Sequence, residues 1–150
     1  MAETVATQLT DELLALLQKE RFVTLSTIDL DTGAPNVSAI SWVYAPDASV
    51  VRFAVDNRSR IVQNINKTNS VVLTVIGAGS CYAIAGEAEV VVEKLEGTPL
   101  KLARVDIKIK EVRDVMFYGS KISVEPQYEK TYDADAAAKL DKQVMDALKA

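Results

Sequence analysis

The chain has no histidine and a single cysteine, Cys81. Without histidine it cannot build a Ser-His-Asp triad, a Cys-His pair or a histidine-ligated metal or haem site. One cysteine excludes an internal disulfide and any multi-cysteine zinc or iron–sulfur site within one chain, so no metal is expected. Basic residues are outnumbered, 17 against 21 acidic ones, for a net charge of -4 and a pI of about 4.9. Nucleic acid is therefore not an expected partner. No run of about 18 apolar residues exists, which excludes a membrane-spanning helix. The start, Met1-Ala2-Glu3-Thr4, lacks the basic and apolar parts of a signal peptide, and a cytoplasmic location is expected. The 4 prolines and 6 glycines fall between apolar runs and mark no linker, repeat or domain boundary.

What remains is an ordinary globular composition, 49% apolar and 25% charged, over 150 residues. That length suits one domain, 1–150. Val and Ile number 28 against 13 Leu, and β-branched side chains favour a pleated surface. The middle of the chain is therefore expected to be sheet. Thr10 is a candidate N-cap for a first helix over about 10–20, with Asp11 and Glu12 in its first turn and Leu9 and Leu14 at the staple positions. Strands are expected at Phe22–Ile28, Asn36–Tyr44, Val50–Val55, Val71–Ile76 and Cys81–Glu93, and from Leu102 onward. Gly33 suits the first hairpin by accepting positive φ. A short helix over about 58–68 is capped by Asp56 or Asn57 and buries Ile61 and Ile65. In the last strand the apolar phase passes from Val105, Ile107 and Ile109 to Val112, which predicts a β-bulge around Lys110–Glu111. A C-terminal helix over about 133–148 buries Leu140, Val144 and Leu148. Short connections between strands predict a mainly β fold with α additions, an antiparallel barrel with a helix inserted across one opening rather than a parallel α/β sheet.

The turn Asp56-Asn57-Arg58-Ser59-Arg60 opens a helix with two arginines and a serine. Free N–H groups at a helix start attract anions, and arginine grips phosphate oxygens in pairs. Basic residues there oppose the helix dipole, which something negative would offset. Two readings stand: a phosphate site, or arginines that are solvated or paired with Asp56 and neighbouring acids. Ser38-Ala39-Ile40-Ser41-Trp42 interleaves small and large side chains and could line the edge of a flat ring. Packing against a helix or a second subunit would use the same pattern.

Three fragments taken together are distinctive: RFVTLSTIDLDTGAPNVSAISW, VRFAVDNRSRIVQNINKTNSVVLTV and CYAIAGEAEVV, the last with Gly86. In order and spacing, from about Leu13 to Val92, they resemble the pyridoxamine 5′-phosphate oxidase-like family of FMN-binding split β-barrels. The resemblance implies an antiparallel Greek-key split barrel of six or seven strands, of the FMN-binding type, and a homodimer with two FMN molecules at the subunit interface. It places flavin contacts on Ser38, Ala39, Ile40, Ser41 and Trp42, and on Ala54 and Val55. The phosphate would fall on Ser59 and Arg60 with help from Arg58, and Cys81 would lie near the ring. Three positions depart from the family's pattern. Ser38 replaces the arginine of the true oxidases, Ile61 a phosphate-binding lysine, and Cys81 a glutamine. The basic, histidine-bearing C-terminal segment that grips the oxidase substrate is also absent, so genuine pyridoxamine phosphate oxidase activity is not expected.

The resemblance implies an FMN-dependent oxidoreductase acting on a small-molecule substrate or electron acceptor. The alternative is a non-catalytic flavin-binding or flavin-storing protein, or a cofactor-free relative. Catalytic residues are unassigned: Tyr82, Lys121 and Cys81 could move protons, but each has a structural reading of its own.

Overall fold

The computed structural model describes residues 3–150; Met1 and Ala2, which open the segment read for a leader, lie outside them. The elements are β1 (Glu3–Ala6), α1 (Asp11–Leu16), β2 (Val23–Ile28), β3 (Pro35–Ile40), β4 (Val43–Asp47), β5 (Val50–Asp56), α2 (Arg60–Lys67), β6 (Ser70–Gly77), β7 (Ser80–Val92), β8 (Leu102–Asp114) and α3 (Ala134–Lys149). The sheet runs in the order β3-β2-β6-β7-β8-β5-β4, with β1 added along β8, and every described pairing is antiparallel. This is the expected split-barrel-type architecture with helical additions. Among the described residues no helix is long and apolar enough to cross a membrane.

The expected strand Asn36–Tyr44 is two strands. Ser41 and Trp42 interrupt it, and the chain there leaves one end of the sheet and joins the other. The two edge strands are therefore consecutive in sequence, yet no described ladder closes β3 onto β4. The carbonyl of Ser41 accepts from Arg21 N (3.0 Å) and Val43 N (3.0 Å), and that of Trp42 from Ala54 N (3.1 Å). These bonds replace the missing ladder locally. The strand β1 was not anticipated, because four residues carry too little alternation to register.

The predicted bulge is present. Gly86 pairs Ile109 and Ala85 pairs Glu111, which leaves Lys110 as the extra residue. Gly86 is needed here for close approach: a Cβ would meet the Lys108 carbonyl oxygen and come within 2.9 Å of Ile107 Cγ2. Thr10 caps α1 as expected, its Oγ1 accepting from Leu13 N (3.3 Å), but α1 stops at Leu16 rather than near Glu20. The cap of α2 is neither Asp56 nor Asn57. Ser59 Oγ accepts from Val62 N (3.4 Å), while Asp56 Oδ1 takes Arg58 N (2.8 Å) and so shapes the preceding turn.

The core follows from the strand alternation. Phe53, Leu25, Leu73, Ile84 and Ile107 are fully buried inside the curled sheet, with Leu13 and Leu17 from the α1 region plugging it. A smaller cluster forms where α3 brings Val144, Met145 and Leu148 onto Ala54, Leu95 and Leu102 beside Trp42 and Tyr44. Leu140 packs against it only partly buried.

Candidate functional site

The break between β3 and β4 opens a cleft of about 350 Å³, at the low end of the range for small-molecule sites. Ala39, Ile40, Ser41 and Trp42 form one wall. Ala54, Val55 and Asp56 at the end of β5 form another, and Ser59 and Ile61 come from the start of α2. Lys130, from the irregular segment between β8 and α3, completes the lining. The floor is apolar and built largely of small side chains. That chemistry fits a flat aromatic ring, with polar groups at its edge to orient it.

Of the eleven residues singled out in the sequence, the cleft collects seven: Ala39, Ile40, Ser41, Trp42, Ala54, Val55 and Ser59. Ser38, Arg58, Arg60 and Cys81 are not on its lining. Cys81 lies opposite Ile76 in the β6–β7 hairpin. Burial, and then the Asp114 carboxylate, push its thiol upward, so it rests as the thiol rather than a nucleophilic thiolate.

The two arginines differ. Arg58 is exposed (77% for its side chain), with Nε 3.5 Å from Asp56 Oδ1. Arg60 is engaged through two of its three nitrogens and is half-exposed: Nε and Nη2 donate to Asp29 Oδ1 (3.1 and 3.0 Å), and Nη2 also reaches Asp31 Oδ2 (2.9 Å). Asp29 is held far below the usual carboxylate range by bonds from the Asn36 side chain, the Thr32 backbone and Arg60. Arg60 therefore fastens α2 to the β2–β3 hairpin. Lys67 Nζ adds a bond to Leu30 O (2.6 Å), and Asn64 adds two more, accepting Leu30 N (2.9 Å) and donating to Thr27 Oγ1 (3.0 Å). The anion-binding capacity at the start of α2 rests on the first backbone N–H groups, which have no acceptor within a helix, on the Ser59 hydroxyl and on the exposed Arg58.

A second polar group borders the cleft. Lys130 Nζ donates to Glu20 Oε2 (2.7 Å) and Asp141 Oδ1 (3.1 Å). Each carboxylate also receives a neutral donor, Ser41 Oγ on Glu20 (2.8 Å) and Trp42 Nε1 on Asp141 (2.9 Å). Burial works to lower the Lys130 pKa, but its bonds to Glu20 and Asp141 outweigh that, and the net shift is upward. Sequence reasoning missed this group because its members are 110 and 11 residues apart and Lys130 sits in no regular element. Among the described residues no cluster of His, Cys, Asp or Glu could hold a metal ion.

Comparison with known proteins bears on the site. The model of the pyridoxamine 5′-phosphate oxidase family matches residues 9–116. Among solved structures, the chain is similar to a Lactobacillus delbrueckii protein provisionally described as a pyridoxamine 5′-phosphate oxidase: 23% identity, TM-score 0.63, covering 75% of this chain and 98% of that one. It is similar to HupZ of group A Streptococcus at 15% identity and TM-score 0.59, covering 77% and 99%. It is also similar to an F420 reductase at 23% identity and TM-score 0.53, covering 65% and 90%. At these identities the likeness is one of fold. No curated protein matches significantly.

Proposed function

We propose, from the premise that this chain belongs to the pyridoxamine 5′-phosphate oxidase family, that its cleft holds FMN and that the protein is an FMN-dependent oxidoreductase acting on a small molecule. One observation carries the reading. Seven residues that the family resemblance marks for flavin contact come from β3, the Ser41–Trp42 link, β5 and the start of α2, and they line one cleft.

In this reading Ala39, Ile40, Trp42, Ala54 and Val55 present an apolar bed to the ring, with the small side chains allowing close approach. The Ser59 hydroxyl and the first N–H groups of α2 receive the phosphate, with Arg58 free to swing toward it. Bound FMN would supply hydride and single-electron transfer, chemistry that no side chain of this chain offers. The cleft is open to solvent on one side. A second copy in a homodimer, with two flavins at the interface, would cover it and exclude water.

A specific observation favours a second reading, flavin holding without turnover. The two charged residues on the lining are Asp56, whose pKa is lowered chiefly by the Arg58 backbone N–H, and Lys130, whose pKa is raised. Neither is poised to exchange a proton near neutral pH. The experiment is the absorption spectrum of the purified protein, then anaerobic NADH or NADPH and reoxidation by an added acceptor. Flavin bands that bleach and return support the oxidoreductase, and bands that do not bleach support holding. No flavin, bound or taken up, refutes both. Light scattering should give about twice the 16.3 kDa chain mass, and a monomer that still binds flavin would refute the interfacial arrangement.

A further inference from the structure

We propose that Lys130 sets how a planar ring lies in the cleft, by presenting an ammonium N–H to an uncharged acceptor, a carbonyl or ring nitrogen, on the ring's edge. The inference rests on the reading of the cleft as a flavin site, but it concerns a residue to which neither the fold nor the family resemblance gives a role.

The geometry is that of an aimed donor. Glu20 and Asp141 approach the ammonium from two different parts of the fold, the α1–β2 connection and α3, and use two of its three N–H groups. The residue lines the cleft, and its side chain is only 27% exposed. Its Nζ stands 5.9 Å from the Trp42 ring centroid and 5.7 Å from that of Tyr128, so two aromatic faces limit its swing. A lysine held on so many sides keeps its rotamer, and the entropy that a flexible lysine loses on binding is already lost.

The charges define the ligand group. One ammonium between two carboxylates leaves the cluster at -1, because Ser41 and Trp42 bring hydrogen bonds but no charge. A phosphate placed here would face two carboxylates and a single cation. A neutral acceptor meets a charge-assisted donor with no such repulsion. Lys130 should therefore read the ring of a flavin and leave the phosphate to the start of α2.

The chain's one tryptophan is Trp42, in the cleft, so quenching of its fluorescence reports binding directly. The full-length protein, freed of flavin, is titrated with FMN, riboflavin and lumiflavin, which has the ring alone. Lys130→Met keeps the apolar stem and removes the donor. It should weaken all three by the same factor, roughly ten- to hundredfold, and shift the visible band of the bound flavin. Lys130→Arg, which restores a cationic donor, should recover most of the affinity and the band position. Glu125→Gln cuts a different tie of the same segment, the Glu125–Arg21 ion pair. It should lower the melting temperature and leave the bound spectrum unchanged.

Wild-type affinity and spectrum in Lys130→Met would overturn the proposal while leaving the flavin site standing. A loss confined to FMN would place Lys130 on the phosphate and overturn the ring assignment. Should Lys130→Met not fold, failure of the folded Lys130→Arg variant to keep affinity within about threefold would count equally against a donor role. Absence of quenching by all three ligands in the wild type would refute the site itself, and the proposal with it.

Discussion

Asn64 is 1% exposed and bonds in two directions, to the backbone of Leu30 and to the hydroxyl of Thr27, itself 2% exposed. Replacing it with leucine keeps the volume and strands two groups: the Leu30 N–H and the Thr27 hydroxyl. Each unsatisfied buried group costs about 1–3 kcal/mol. The Leu30 N–H lies near the surface and the hydroxyl can rotate, so low values apply, about 2–3 kcal/mol together. At about 2–4 °C per kcal/mol for a chain of this size, Asn64→Leu should melt about 4–12 °C below the wild type. Thr27→Val should cost about 1–2 kcal/mol by orphaning the Asn64 amide. The double variant removes both partners of one bond, so its loss should fall short of the sum by about 1 kcal/mol. Urea unfolding, followed by Trp42 fluorescence and circular dichroism, measures all three. Additivity within about 0.5 kcal/mol would show that the Asn64–Thr27 bond does not hold α2 to β2, and would refute the reasoning.

Gly86→Ala should lower the melting temperature by about 2–12 °C, from an overpacking cost of roughly 1–3 kcal/mol at the bulge. A wild-type melting curve would mean that β8 moves aside freely there. Arg60→Ala should loosen the 29–34 hairpin, seen as faster amide exchange there. It should weaken FMN and riboflavin alike, since the guanidinium is engaged by Asp29 and Asp31. A loss for FMN alone, by titration, would return Arg60 to the phosphate. Asp29, Asp47 and Asp56 all titrate below the ordinary aspartate value of 3.8 when folded. Their stabilisation is complete above that value and is given up as pH falls below it. Asp29→Asn should therefore flatten the acid limb of a stability–pH curve; an unchanged limb would assign it to other groups.

Much of the fold is legible because it is local. Thr10 and Asp11-Glu12 announce α1, and the phase change from Ile109 to Val112 announces the bulge. What is not legible depends on distant groups. The large side chains Ile40, Trp42 and Tyr44 alternate as in one strand, but at the crossing the inward phase passes to Val43 and Ala45, while Trp42 and Tyr44 pack on the α3 cluster, a change that only the fold reveals. Ser59 displaces Asp56 as the cap because Asp56 turns the chain first, a competition that spacing alone does not decide. Of the residues lining the cleft, the 39–42 stretch and Ser59 stand out from their pattern in the sequence, whereas Ala54 and Val55 are marked only by the family resemblance. Which acids pair with Arg60 is not legible, because Asp31 and Asp29 lie 29 and 31 residues upstream, in a loop whose proximity only the fold creates. Lys130 lies in a segment without periodicity, and only the docking of α3 beside Trp42 brings its partners together.

The position of β8 bears on how the molecule is made. It pairs with β1, β5 and β7, and among the described strands it is the last to be synthesised. Until Leu102–Asp114 leaves the ribosome, the nascent chain can form only two partial sheets, β3-β2-β6-β7 and the β4–β5 hairpin. Each has an apolar face uncovered and an edge open to a neighbour's strand. The walls of the cleft belong to both pieces, β3 to the first and β5 to the second, so the cavity has no shape before β8 joins them. Any ligand of the cleft must therefore wait until Asp114, about three quarters of the way along the 150 residues, has emerged. Lys130 and Asp141 follow later still and finish a site whose other walls are already standing.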